Sequence, residues 1–368
     1  MSAAYDDEAR GLDREILSVI SAWRNGIALS DAEFDDLALR IFSHQMRHNV
    51  RYARYAASLA ITLDALPRSW QAIPPVPAAA YKEATLATFD PSTAALAFET
   101  SGTTRGSGGR HYMENAALYD AALLAGFDRF VLTDRARLRY LNLVPNPSER
   151  PGSSLGYMMA RVARERGDGR TGWYLRGDAL LANELFSDLH RAVEEGQAVC
   201  IATTAFALVA ALDAAQEGGL RFALPRGSRI METGGFKGRT RVVSREELYA
   251  RARERLRVDE AHIIAEYGMT ELTSQWYDNT ASVRDGGAQL KAAPAWLRAR
   301  VVGPDGETLP DGVVGALVHV DLANRSSCVA VQTEDLGACF GREIVLLGRE
   351  SGAQLRGCSL DAETLDAR

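Results

Sequence analysis

Residues Thr100–His111, TSGTTRGSGGRH, crowd hydroxyls, glycines and basic side chains into one loop. Glycine lets the backbone bend where a Cβ would clash. Successive N–H groups, with hydroxyls and cations around them, can then enclose a polyphosphate. The loop follows the apolar run Ala94–Phe98, which reads as a buried strand. It lacks the G-x-x-x-x-G-K-[ST] order of a Walker A loop, and by itself a Ser/Thr/Gly-rich loop is an ordinary connection. Three later stretches add chemistry. Ala265–Leu272, AEYGMTEL, sets Gly268 at a strand end before Thr270 and Glu271. Glu271 suits a hard cation such as Mg²⁺, Thr270 a phosphate, and Tyr267 a base; the alternative is a plain threonine-capped turn. Thr333–Gly337, TEDLG, offers Asp335, an acid able to hold both hydroxyls of a ribose. Gly348-Arg349 offers a cation for phosphate or ribose, or a solvated surface arginine.

The four cysteines have no close pairing, as expected of free thiols in a reducing cytosol. Cys200 reads as core, and Cys328 and Cys339 belong in or beside strands. Cys358 lies in a polar tail close to Arg356, where exposure and a guanidinium favour the nucleophilic thiolate. His44 and His48 stand at helical i,i+4 spacing, but without the glutamate of H-E-x-x-H they read first as a packed helix face. His111 closes the phosphate-type loop and could contact an acid or a phosphate. No G-x-S-x-G elbow is present.

The elements that must position these residues follow from periodicity. The first ninety residues read as helical, with a stripe Leu37, Ile41, Gln45, Met46, Asn49, Val50, Ala53, Ala57, Ala60. Ile73-Pro-Pro-Val-Pro77 breaks it and is expected to cross the surface as an extended segment. Strands are expected at Arg139–Val144, Ala198–Thr203, Arg229–Glu232 and His262–Glu266. Helices alternate with them near Ser153–Gly167, along the stripe Leu181, Leu185, Leu189, Val193, at Ala205–Gln216, and at Arg245–Arg257 behind a capping box at Ser244 and Glu247. That rhythm predicts an α/β sheet covered by helices. Past Ala295, Arg298–Val302, Val313–Val320 and Glu343–Leu347 read as antiparallel strands around Asp-Gly turns. With 368 residues, 46% hydrophobic content and a net charge of −6, a large core is available and a general nucleic-acid or membrane-surface role is disfavoured. The N-terminus has no basic-then-apolar leader pattern.

Taken together and in this order, the four motifs resemble those of the adenylate-forming superfamily of acyl-CoA ligases, luciferases and peptide-synthetase adenylation domains. SGTTRGSGG is similar to its phosphate loop, EYGMTE to its YGxTE motif, TED to its TGD motif, and GRESG to the GR at its interdomain hinge. Within it the chain looks most like the LuxE-like acyl-protein synthetases, through its length, HQMRHNVRYARY, METGGFKG and LRGCSL. The resemblance implies a large α/β domain of helix-covered sheets with a small antiparallel barrel-like part over residues 1–347. Its helical N-terminal part would reach about residue 75, and residues 348–368 would be a short tail in place of the usual small domain. It implies ATP and Mg²⁺, with Ser101, Gly102, Thr103 and Thr104 on the phosphates and Gly234, Gly235, Tyr267 and Gly268 around adenine. Thr270 would meet the α-phosphate, Glu271 the Mg²⁺, Asp335 the ribose, and Arg349 ribose or phosphate.

Two departures stand out. The loop ends in Arg110-His111 instead of the usual lysine, and the tail beyond Arg349 contains no lysine. Lys237 and Arg110 are the candidates to replace the missing cation, with His111 a further catalytic candidate beside them; the alternative for Lys237 is a surface residue at a helix start. The implied activity is carboxylic acid activation to an acyl-adenylate, then transfer to Cys358 and onward to a reductase or carrier protein. A CoA ligase and a non-catalytic adenylate-fold binding subunit are the rivals.

Overall fold

The computed structural model describes residues 3–100, 108–234, 243–283 and 289–349. Ser101, Gly102, Thr103, Thr104, Gly235, Lys237 and Cys358 lie outside them. The chain divides into two units: residues 1–125, 269–275 and 282–368 in the first, residues 126–268 and 276–281 in the second.

The first unit begins with helices Ala3–Arg24, Asp31–His48 and Val50–Ser58. Ser30 caps the second through a full capping box with Glu33. Asn49 ends that helix and starts the next: its N–H donates to Gln45 O at 2.8 Å, and its side chain accepts from Tyr52 N at 3.1 Å. This corrects the single stripe expected from the sequence. Leu37, Ile41, Gln45, Met46 and Asn49 are buried. Beyond the extended backbone at Asn49 the helical face is reset. Tyr52, Tyr55 and Ala56 turn inward, while Val50, Ala57 and Ala60 are exposed.

The proline segment is extended as expected but not on the surface: Ile73 and Val76 are fully buried, and Val76 pairs in parallel with Val331. Proline has no N–H to satisfy, and the exposed-looking carbonyls find donors. Tyr52 Oη donates to Pro74 O at 2.7 Å, and Tyr55 Oη to Pro75 O at 3.0 Å. The antiparallel sheet of this unit runs Leu297–Val302, Gly315–Asp321, Ala330–Phe340, Glu343–Arg349, Gln289–Ala292 in spatial order. Val313 and Val314, expected in a strand, lie exposed in the preceding turn. Ile16, Phe34, Ile41, Trp296, Val320 and Val329 share one apolar core.

The second unit carries the parallel sheet, in the order Ile263–Tyr267, Arg229–Thr233, Val199–Thr204, Leu138–Leu143, Gly167–Trp173. Trp276–Val283 adds an antiparallel strand beside Ile263–Tyr267. Helices Ser154–Arg166, Ala182–Glu194, Ala205–Glu217 and Arg245–Leu256 alternate with the strands. Ser153, Thr204 and Ser244 cap three of them, each hydroxyl accepting a backbone N–H at 3.1 Å. Leu141, Val199, Ile201, Leu208, Ile230 and Ile263 make its core. Among the described residues, no helix is long and apolar enough to cross a membrane.

Candidate active site

The phosphate-type loop springs from a β-hairpin. Among the described residues, strands Leu96–Glu99 and Arg110–Met113 pair only with each other, with Phe98 opposite His111 and Glu99 opposite Arg110. Thr100 N–H donates to Gly109 O at 2.8 Å and closes the loop base. The hairpin corrects the expectation of a buried strand: Ala97 and Glu99 are exposed, and only Phe98 is buried. A two-stranded ribbon with one apolar anchor does not need a continuous apolar run. Gly109 has a steric reason. A Cβ there would stand 2.3 Å from Tyr81 O and 2.7 Å from Lys82 N. Thr100 is buried, and its Oγ1 has no hydrogen-bond partner among the described residues.

Arg110 and His111 begin the second strand and have opposite environments. Arg110 is exposed and pairs with Glu99 at 3.1 Å. His111 is fully buried, which pushes its imidazole down to about 4. Its Nδ1 is 2.7 Å from Thr270 O, and a carbonyl can only accept, so Nδ1 carries the proton. Nε2, 2.9 Å from Ser327 Oγ, must then accept from that hydroxyl. Ser327 in turn accepts from Tyr81 Oη at 3.3 Å. Thr270 is held again through its own hydroxyl, which donates to Glu99 O at 3.4 Å. Thus the strands flanking the loop grip Thr270 at two points.

The residues after Thr270 are pinned as firmly. Glu271 is buried, and its carbonyl accepts from Asn324 Nδ2 at 2.9 Å. Thr273 and Ser274 donate their N–H groups to Asp321 Oδ2 at 3.0 and 2.8 Å. Asp335 and Arg349 face each other across adjacent strands, with Arg349 Nε donating to Asp335 Oδ1 at 2.8 Å. Thr333 fixes the backbone there, its hydroxyl donating to Leu317 O and accepting from Asp335 N, each at 3.1 Å. Asp335 lies within the strand Ala330–Phe340, beside a register shift at Leu336 and Gly337.

Tyr267, Gly268 and Gly234 belong to the second unit, at the C-terminal ends of neighbouring parallel strands. Gly234 has φ +75°, a conformation that favours glycine. Sequence reasoning missed the carboxylates behind them. Glu266 accepts from Thr233 Oγ1, Glu232 accepts from Tyr249 Oη at 3.1 Å, and Asp278 accepts from Ala265 N at 2.9 Å while pairing with Arg245. All three acids are buried. For Glu232 and Glu266 the signal was present in RIMET and IIAEY, where an acid interrupts an apolar parallel strand just before its end. In the same unit Met158 is buried, and Tyr157 and Trp173 are half-buried.

Cys200, Cys328 and Cys339 are all buried. Burial pushes the Cys200 thiol up to about 12 and Cys339 to about 11, and raises Cys328 further. None is a nucleophile at neutral pH.

Solved structures share this architecture. An open conformation of 2-hydroxyisobutyryl-CoA ligase, in complex with 2-HIB-AMP and CoA, matches with a TM-score of 0.63 at 14% identity, over 88% of this chain and 75% of that one. The same ligase in its thioesterification state matches at 0.61, with 16% identity over 88% and 69%. ATP-bound MatB from Rhodopseudomonas palustris matches at 0.50, with 17% identity over 71% of this chain and 49% of MatB, so the chain spans about half the length of that relative. At such identities the likeness shows the fold, that of the large domain of adenylate-forming enzymes. No curated protein sequence matches the chain. A family model described as acyl-protein synthetase, LuxE, matches residues 27–364. Matched over nearly its whole length, the chain belongs to the LuxE acyl-protein synthetase family.

Proposed function

We propose that this protein uses ATP to convert a carboxylic acid to an acyl-adenylate and then transfers the acyl group to a thiol, Cys358, for delivery to a partner protein. The observation that carries the reading is the double grip of the loop's flanking strands on Thr270. His111 Nδ1 and Glu99 O both hold this residue, although 159 positions separate His111 from it. A phosphate loop and a Thr-Glu pair have reason to be held together when one triphosphate must meet both.

In this reading Ser101, Gly102, Thr103 and Thr104 hold the phosphates, Thr270 meets the α-phosphate, and Gly234, Gly235, Tyr267 and Gly268 surround adenine. Asp335 accepts from the ribose hydroxyls, with Arg349 orienting its carboxylate. The Thr100 hydroxyl, which has no hydrogen-bond partner among the described residues, suits a phosphate oxygen or its hard cation. Mg²⁺ held by Glu271 would neutralise charge on the departing pyrophosphate. A carboxylate oxygen of the acid attacks the α-phosphorus, the bond to the bridging oxygen breaks, and pyrophosphate leaves. Such transfer depends on positioning and charge neutralisation. Arg110 can serve the second need, because its exposed pair with Glu99 is weak enough to exchange for a phosphate. Lys237 is the other cation of the reading. His111, with both ring nitrogens engaged by protein, positions Thr270. The Cys358 thiolate then attacks the acyl carbonyl, forms the thioester and expels AMP. The three described cysteines, buried and raised, support leaving this role to Cys358.

The test is acid-dependent ATP–pyrophosphate exchange over a panel of fatty and aryl acids, followed by labelling with the radioactive acid. Exchange with at least one acid, and a thioester label lost in Cys358→Ser while exchange persists, is the expected result. CoA-dependent AMP release unaffected by Cys358→Ala would make the protein a CoA ligase. Silence with every acid would leave a non-catalytic binding subunit.

A further inference from the structure

The helical start of the first unit holds a cluster that the proposed chemistry does not use. Glu8, on helix Ala3–Arg24, faces His44 and His48, one turn apart on helix Asp31–His48. Glu8 Oε2 is 3.1 Å from His44 Nδ1 and 3.4 Å from His48 Nε2, and one donor atom from each residue lies within 4.8 Å of the others. Tetrahedral zinc with bonds of roughly 2.0–2.1 Å spaces its ligand atoms about 3.3 Å apart, which the two contacts to Glu8 already match. We propose that Glu8, His44 and His48 form a site for a divalent transition metal of the zinc class, with water completing the coordination.

Two further observations support this. His44 is fully buried, yet among the described residues its Nε2 has no hydrogen-bond partner and its Nδ1 meets only the Glu8 carboxylate, at 3.1 Å. Buried polar atoms are seldom left so, and a metal ion would use the Nδ1 lone pair. The surroundings also fix the ligands. Arg47 holds the other carboxylate oxygen, Oε1, leaving Oε2 for the imidazoles. The Tyr5 ring packs 5.4 Å from His44 and 4.8 Å from His48. Arg325, the nearby buried cation, is neutralised by Asp13 at 2.7 Å and Glu114 at 2.6 Å. His48 and Glu8 are partly exposed, which opens a path for the ion. Two histidines with one carboxylate are a borderline donor set that suits Zn²⁺ over Mg²⁺. The metal would staple the first helix, which precedes the residues matched by the family model, onto the second.

The experiment is Zn²⁺ titration of the demetallated full chain against a chromophoric chelator, with Co²⁺ as spectroscopic probe. One equivalent should bind, raise the thermal midpoint, and give Co²⁺ d–d bands without thiolate charge transfer. Glu8→Gln and His48→Ala, both at partly exposed positions, should keep the circular dichroism of the parent and lose more than about 100-fold in affinity, beyond an outer-shell effect. Arg47→Gln should lose about 10- to 100-fold. No uptake by the parent chain overturns the proposal, as does equal affinity in the Glu8 and His48 variants.

Discussion

Single residues carry the sharpest consequences. Asp335 and Arg349 meet across one strand pair, so on the proposed reading removing the acid would leave a ribose without its acceptor and a guanidinium without its guide. A hydrogen bond to a charged group is worth about 1.5–3 kcal/mol. Asp335→Ala should therefore lower kcat/KM for ATP by about 10- to 150-fold in the exchange assay, with the thermal midpoint little changed because its pair with the exposed Arg349 adds little to stability. Arg110 and His111 look alike in sequence as cationic ends of a loop, and burial separates them. Only Arg110 remains charged and exposed, whereas His111 is buried and neutral. No pattern of neighbours in the chain announces that difference, because Ser327 and Tyr81, which surround the imidazole, are distant in sequence.

At the scale of elements, two joints deserve direct tests. Gly109 closes the hairpin within van der Waals reach of the Tyr81 and Lys82 backbone. Gly109→Ala would force that backbone apart at a cost of about 1–3 kcal/mol, and pyrophosphate exchange should fall with it; urea unfolding measures the first effect. Asn49 joins two helices, capping Tyr52 N and donating to Ser327 O at 3.2 Å. Asn49→Ala should cost about 1–2 kcal/mol, as lost N-caps do, and should lower the urea midpoint. The capped helices Ser154–Arg166, Ala205–Glu217 and Arg245–Leu256 were legible within a residue or two, since caps and apolar periodicity are local signals. The strand Gly167–Trp173 was not, because GDGRTGW is polar, glycine-rich and largely exposed along the sheet edge. Trp276–Val283 and Gln289–Ala292 were missed for a related reason: they are strands by virtue of their partners.

For the molecule as a whole, buried ionisable groups set the acid limit of stability. Burial holds His111 and His319 near 4, against 6.5 for a free imidazole. Between those values the unfolded chain binds more protons, so stability falls as pH falls. Asp321 acts in the opposite sense, since burial raises its carboxyl from 3.8 to about 6 and the folded state there holds the extra proton. Because buried histidines lowered in this way outnumber the one raised aspartate, the urea midpoint should drop between about pH 7 and about pH 4.5. His111→Asn, which keeps a donor for Thr270 O, should show a shallower drop. The order of motifs, the alternation of strand and helix in the second unit and the antiparallel texture after Ala295 were all written in the chain, because periodicity, caps and turns act over a few residues. Which polar groups are buried, which histidine is neutral, and which strands grip Thr270 were decided by packing between segments far apart in sequence. Desolvation and hydrogen-bond geometry depend on those neighbours, and one-dimensional spacing does not contain them. The sequence of the loop Thr100–His111 suggests a ligand; the fold of the chain around its base buries His111 and leaves Arg110 exposed.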